Sequence, residues 1–125
     1  MIGVWLLVVV GLIIWHSVRR WRRNRYRREA LAELDRLQGQ DGLDPQSSAS
    51  AVATLLKRTA LAAYDRSTVA NLFGPDWAEF LRESSANDPI IAEHAEAISR
   101  AAYDKAANGS DLYMPARRWI KVHRA

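Results

Sequence analysis

The hydrophobic and polar positions divide the chain into two unlike parts. Residues 1–18, MIGVWLLVVVGLIIWHSV, contain no charged side chain. Residues 2–15 are apolar on every helical face, whereas a soluble core helix carries a polar face at regular intervals. Eighteen residues at 1.5 Å rise give roughly 27 Å, close to the ~30 Å hydrocarbon core of a bilayer. The pattern predicts a membrane-spanning helix over residues 1–18.

Beyond residue 28 the period changes. Ala30, Leu31, Leu34 and Leu37 recur at helical spacing, so the run WRRNRYRREALAELDRLQG predicts that the membrane helix continues through residues 19–38 and stops at Gly39. Residues 39–50 are rich in Gly, Asp, Ser and Pro and read as a loop. A second helix is expected from Ser48 or Ser50, with Val52, Leu55, Leu56, Thr59, Ala60 and Ala63 on its apolar face. A short helix STVANLF follows, capped by Ser67 or Thr68 and closed by Gly74. DWAEFLRES then presents Trp77, Phe80 and Leu81 on one face. Asp88-Pro89 reads as an N-cap with proline at the first helical position, opening a helix over 89–107. A last helix begins near Met114–Pro115. No alternating strand pattern occurs. The expected fold class is all-α: an N-terminal transmembrane helix followed by a small helical domain, residues 51–125, of four or five short helices. Its core is expected around Trp77, Phe80, Leu81, Ile98 and Trp119.

Charge sharpens the division. The chain has 18 Lys/Arg and 14 Asp/Glu, a net charge of +4, and a sequence pI near 9.8. Seven of those cations are arginines between positions 19 and 28; eleven Lys/Arg against fourteen Asp/Glu leave residues 29–125 at −3. The basic character therefore belongs to the junction beside the apolar run. A secretory signal has its positive charge first and a small-residue cleavage site last; here the order is reversed. Arginines flanking a span stay cytoplasmic, so the expected topology is N-terminus outside and C-terminal domain in the cytoplasm. Trp5, Trp15, Arg19, Arg20, Trp21, Arg22 and Arg23 are the candidate interface residues. Their indoles and guanidinium groups suit the headgroup level, where anionic lipid attracts basic residues. Nucleic-acid binding by Arg19–Arg28 is the alternative, but the acidic body offers no base-reading element.

Candidate chemistry is sparse. With no cysteine, disulfides, thiolate metal sites and cysteine catalysis are excluded. The histidines at 16, 94 and 123 are scattered, and Glu93-His94 lacks the second histidine of a zinc-protease helix. No Gly-rich phosphate loop is present. The expectation is a protein without catalytic residues, cofactor or metal. The C-terminal ARRWIKVHR reads first as a core helix with Trp119 and Ile120 inward. Arg117, Arg118 and Arg124 are the alternative, as contacts for an acidic partner surface.

Several segments together resemble a known family. They are the span with its Arg-rich continuation and REALAELDRL, then LLKRTALAAYDRSTVANLFGPDWAEFLRES (55–84), then ARRWIKVHR (116–124). The matching positions include Leu55, Leu56, Arg58, Leu61, Tyr64, Val69, Leu72, Gly74, Trp77, Phe80, Leu81, Arg117, Arg118, Trp119, Ile120 and Arg124. The set resembles small bacterial single-pass membrane proteins defined only as a domain of unknown function. Members are typically encoded beside MoxR-type AAA+ ATPases and von Willebrand factor A-domain proteins of the BatA/BatB kind. The resemblance implies no catalytic residue. It implies a bacterial inner-membrane location and a partner in such an ATPase and adhesion-domain complex, concerned with envelope stress or protein assembly. Two features depart from the pattern. The chain starts inside the span, where members carry a Pro/Trp-rich segment, so the expectation is a missing outside portion or a start chosen late. Residues 84–110 are Ala-rich and read as helical where members are Gly-rich, with Tyr103 as the matching tyrosine.

Overall fold

The computed structural model describes residues 1–40, 42 and 44–124. Its first element is one unbroken helix, α1 (Ile2–Gln38), roughly 55 Å long at 1.5 Å per residue. Residues 1–25 are exposed on every side, and the burial that marks a domain begins only at Tyr26. Ala30, Leu34 and Leu37 are buried, at the four- and three-residue spacing that keeps one face inward. The expected continuation of the apolar helix through residue 38 is found.

Five α-helices follow, and no strand occurs among the described residues. They are α2 (Pro45–Ala63), α3 (Arg66–Val69), α4 (Gly74–Ser84), α5 (Pro89–Arg100) and α6 (Tyr113–Val122), with a 3-10 turn at Gly109–Asp111 before the last. The fold class is all-α, as the pattern predicts.

Four boundaries differ from the sequence reading. The loop expected over 39–50 is shorter, because α2 starts at Pro45 and not at Ser48 or Ser50; positions 41 and 43 of that loop lie outside the described residues. Asp44 caps α2 by accepting from the Ser47 N–H, with proline at the first helical position. This is the same device as Asp88-Pro89, where the Asp88 carboxylate accepts from the Ile90 N–H. The short helix α3 is capped by Asp65, which accepts from the Ser67 N–H, rather than by Ser67 or Thr68. Gly74, at φ +56°, opens α4 instead of closing the helix before it; a residue with a Cβ would be strained there. The helix expected over 89–107 ends at Arg100. The N–H groups of Tyr103 and Asp104 both return to the Arg100 carbonyl, and the Asp104 carboxylate accepts from the Ala106 N–H. A side chain that supplies its own backbone partner competes with helix continuation.

The core joins all six helices. Leu34, Val52, Leu56, Leu81, Ile91, Ile98, Trp119 and Ile120 are fully buried, and Trp77 nearly so. Phe80 is partly buried and packs against this core. Since α1 supplies Ala30, Leu34 and Leu37, the core extends upstream of residue 51. At the far end of α1, the Tyr113 hydroxyl donates to the Leu37 carbonyl and lies 2.7 Å from Ser48 Oγ. Gly109 fits against this corner because it has no side chain. A Cβ there would lie 2.0 Å from Ser48 Oγ and 2.8 Å from the Ser48 carbonyl carbon.

The contacts fix the directions of the helices. Gln46 and Ser47 lie beside Leu37, and Ala62 beside Tyr26, so α2 runs antiparallel to α1. Tyr113 meets Leu37, Arg117 meets Asp35, and His123 meets Tyr26, so α6 is antiparallel to α1 as well. Ser84, at the end of α4, accepts from the Arg124 N–H at 2.9 Å. The C-terminal ends of α2, α4 and α6 therefore gather at the end of the domain nearest the apolar half of α1.

Candidate interaction surfaces

Three parts of the surface have distinct chemistry: the arginine junction, a clasp that joins it to the C-terminus, and an apolar groove on the domain.

The junction residues expected from sequence are exposed. Trp5, Trp15 and Trp21 stand free of the domain, as do Arg19, Arg20, Arg22 and Arg23. The Arg19 guanidinium lies 5.2 Å from the centre of the Trp15 ring, and that of Arg25 5.3 Å from Trp21. Arg25 also pairs with Glu29 at 3.0 Å, one helical turn away. Such exposed pairs contribute well under about 1 kcal/mol each.

Arg27 behaves differently from its neighbours. It is half-buried and turned toward α6. Its Nη1 donates to the Lys121 carbonyl at 3.0 Å and its Nη2 to the His123 carbonyl at 2.7 Å. A helix leaves its last carbonyls unpaired and carries a partial negative charge there. Arg27 satisfies both conditions at the C-terminal end of α6.

His123 completes the clasp. Its ring is almost wholly buried, stacked 4.2 Å from Trp119. Nδ1 lies 2.8 Å from the Trp119 carbonyl, which can only accept, so Nδ1 carries the proton. Nε2 then accepts from the Tyr26 hydroxyl at 2.8 Å. Both nitrogens are used with the ring neutral. Burial pushes the His123 pKa down to about 4, with the Arg27 charge lowering it further and the Trp119 carbonyl opposing. The Trp119 indole N–H donates to Ser84 Oγ at 2.9 Å, and the Tyr64 hydroxyl donates to the Arg124 carbonyl. The buried His123 thus ties α6 to α1, while Trp119 and the Arg124 N–H hold the same turn to Ser84 of α4. Sequence reading passed over His123 as one of three scattered histidines. Its nearest signal was helical spacing, since positions 119 and 123 share a face.

The C-terminal arginines are engaged within the chain. Arg117 pairs with Asp35 and lies 3.1 Å from Gln38 Oε1. Arg118 reaches Asp88 at 2.9 Å and holds that carboxyl below its usual range. The side chain of Arg124 is exposed while its backbone is held on both sides. Trp119 and Ile120 point inward, fully buried. The core-helix reading of ARRWIKVHR therefore describes the arrangement, and the two guanidinium groups at 117 and 118 brace α6 against α1 and α5.

The groove was not legible in sequence. It lies where α2, α4 and α5 meet, has a volume of about 530 Å³, and is lined chiefly by Lys57, Leu72, Phe73, Trp77, Ile98 and Tyr103. Phe73 is 79% exposed and Tyr103 66%, unusual for aromatic rings outside a membrane segment. Lys57 Nζ stands 4.4 Å over the Trp77 ring and donates to the Leu72 carbonyl; burial lowers its pKa. Trp77 stacks on Phe80 at 5.5 Å, which meets Tyr64 edge-on at 5.0 Å. This aromatic row links the groove to the clasp.

No cluster of three potential metal ligands occurs among the described residues. Comparisons with curated proteins and with solved structures find no match. A family model does match, over residues 1–122, and covers the apolar helix together with the domain built on it: the chain belongs to the family described as domain of unknown function DUF4381.

Proposed function

We propose that this protein is a non-enzymatic, membrane-anchored accessory protein whose helical domain docks a protein partner. The observation that carries the reading is the groove with Phe73 and Tyr103 exposed beside Trp77. Apolar side chains held out from a small domain mark contact sites, and aromatic rings anchor them. The polar clusters elsewhere pair internally, as Arg117–Asp35 and Arg118–Asp88 do, which favours binding over chemistry.

The partner implied by the family resemblance is a MoxR-type ATPase or a von Willebrand A-domain membrane protein. Of the two, the ATPase suits a cytoplasmic domain. The seven-arginine junction supports a single span in the bacterial inner membrane with the N-terminus outside. The test is co-purification of the full chain in mild detergent. A MoxR-type ATPase or von Willebrand A protein should come down with the native chain and be lost with Phe73→Ala/Tyr103→Ala. Recovery of neither from the native chain refutes the partner. Orientation is tested separately by reporters fused at the C-terminus: a cytoplasm-only reporter should be active, and activity of a periplasm-only reporter would reverse the topology.

A further inference from the structure

α1 crosses from apolar to folded without a break, and this limits how far the domain can stand from the membrane. Val18 ends the uncharged run and Tyr26 begins the domain, so residues 19–25 are all that lies between. Seven residues of straight helix measure roughly 10 Å. The headgroup layer on each side of a bilayer is about 5–7 Å deep. The near end of the domain is therefore held within reach of the lipid surface, and the tilt and depth of α1 decide whether it touches. The clasp of Tyr26 and Arg27 on α6 holds that end in one orientation to the helix.

The groups at this end can be named. They are the C-terminal turns of α2, α4 and α6, with Tyr64, Asp65, Ser84, Lys121, His123 and Arg124. Three helix C-termini bring partial negative charge, and Asp65 and Glu83 add two carboxylates. Arg27 is consumed on the α6 carbonyls. The side chains of Arg28, Lys121 and Arg124 are exposed at this end, and none forms an ion pair among the described residues. Left to themselves, the helix ends would be repelled by an anionic surface. Cations facing the phosphates reverse that, at about 1 kcal/mol for each near the surface.

We propose that this end of the domain is a seat on anionic lipid, with Lys121 and Arg124 of the last turn joining Arg28 and the junction arginines against the headgroup phosphates. The proposal rests on α1 being a span, and goes beyond the junction by assigning the domain's own C-terminus to the membrane. Long Lys and Arg side chains can span the few ångströms between the helix end and the phosphates. The groove is built from other faces of α2 and α4 and from α5, so a seated domain leaves it open to a partner.

The chain has no cysteine, so the full-length protein in lipid nanodiscs accepts a single fluorophore. Ala62→Cys places one beside Tyr26, and Ser47→Cys places one beside Leu37, roughly 16 Å farther along α1. The readout is contact quenching by a headgroup-labelled lipid, in phosphatidylcholine alone and with phosphatidylglycerol added. The expected result is strong quenching at 62, weak at 47, and more quenching at 62 when phosphatidylglycerol is present. Lys121→Gln/Arg124→Gln should lower the seated-to-lifted ratio about 30-fold, while Lys121→Arg leaves it unchanged. Quenching at 62 that ignores both phosphatidylglycerol and the double variant overturns the seat while leaving the span intact. Release of the native chain from the discs by high salt overturns the span and the seat with it.

Discussion

The two halves of α1 obey different rules within one helix. From Ile2 to Trp15 every face is apolar and none is covered by protein. From Arg25 to Gln38 one face, Ala30, Leu34 and Leu37, is buried and the others carry ionic groups such as Arg25–Glu29 and Glu33–Arg36. The backbone is the same; the solvent opposite the side chains differs. An all-apolar surface is stable against lipid, whereas an amphipathic one needs a core on one side and water on the other. Gly3 and Gly11 have nothing near them, while Gly109 is packed against Ser48 so closely that no side chain fits. Position in the molecule, and not residue type, decides what a side chain costs.

The sharpest way to break the comparison is to truncate one tryptophan in each half of the molecule. Trp119→Ala removes a fully buried ring, its stacking on His123 and its hydrogen bond to Ser84. It should destabilise the domain by about 3–5 kcal/mol in denaturant unfolding. Trp5→Ala, on an exposed ring of the apolar half, should leave the domain midpoint unchanged. A charge reverses the asymmetry. Leu7→Arg should disfavour membrane insertion by about 3 kcal/mol, read as the glycosylated fraction in a translocon assay. Glu33→Arg, on the partly covered surface of the other half, should leave insertion unchanged.

The clasp between the halves supplies the next test. His123 is neutral when folded, with its pKa lowered from 6.5 to about 4. The unfolded chain binds a proton below pH 6.5 that the folded one refuses. Stability is therefore full above pH 6.5 and falls as pH drops toward 4, by about 2 kcal/mol after allowing for solvent screening. Urea midpoints between pH 7 and 4 should show this loss, and His123→Phe should flatten that part of the profile. The smallest effect is expected at the surface brace of α6. Asp35→Asn removes the exposed partner of Arg117 and should cost less than about 1 kcal/mol, shrinking further in high salt.

Much of the fold was legible because its signals are local. An apolar run needs no partner to announce a span, and Asp88-Pro89 announces a helix start from two adjacent residues. The same pair at Asp44-Pro45 was overlooked beneath the surrounding Gly, Gln and Ser, which made the loop look longer than it is. The error at residues 101–107 has the opposite origin: alanine favours helix, but the Asp104 side chain closes its own turn. The seven arginines of residues 19–28 are visible in the sequence as a group, yet nothing in RRWRRNRYRR separates Arg27 from the rest. What separates it is a pair of carbonyls on α6, more than ninety residues later.

By itself, then, the sequence determined the all-apolar helix, the cationic junction, the absence of cysteine chemistry and the all-α character of the body. Each follows from composition or from spacing within a few residues. Only the tertiary structure decided that His123 is a buried, neutral link, that Arg117 and Arg118 brace their own helix, and that Phe73 and Tyr103 face outward around a groove. Those outcomes depend on which helix ends meet. That is set by packing between segments as far apart as Tyr26 and His123, a separation over which no local pattern carries information.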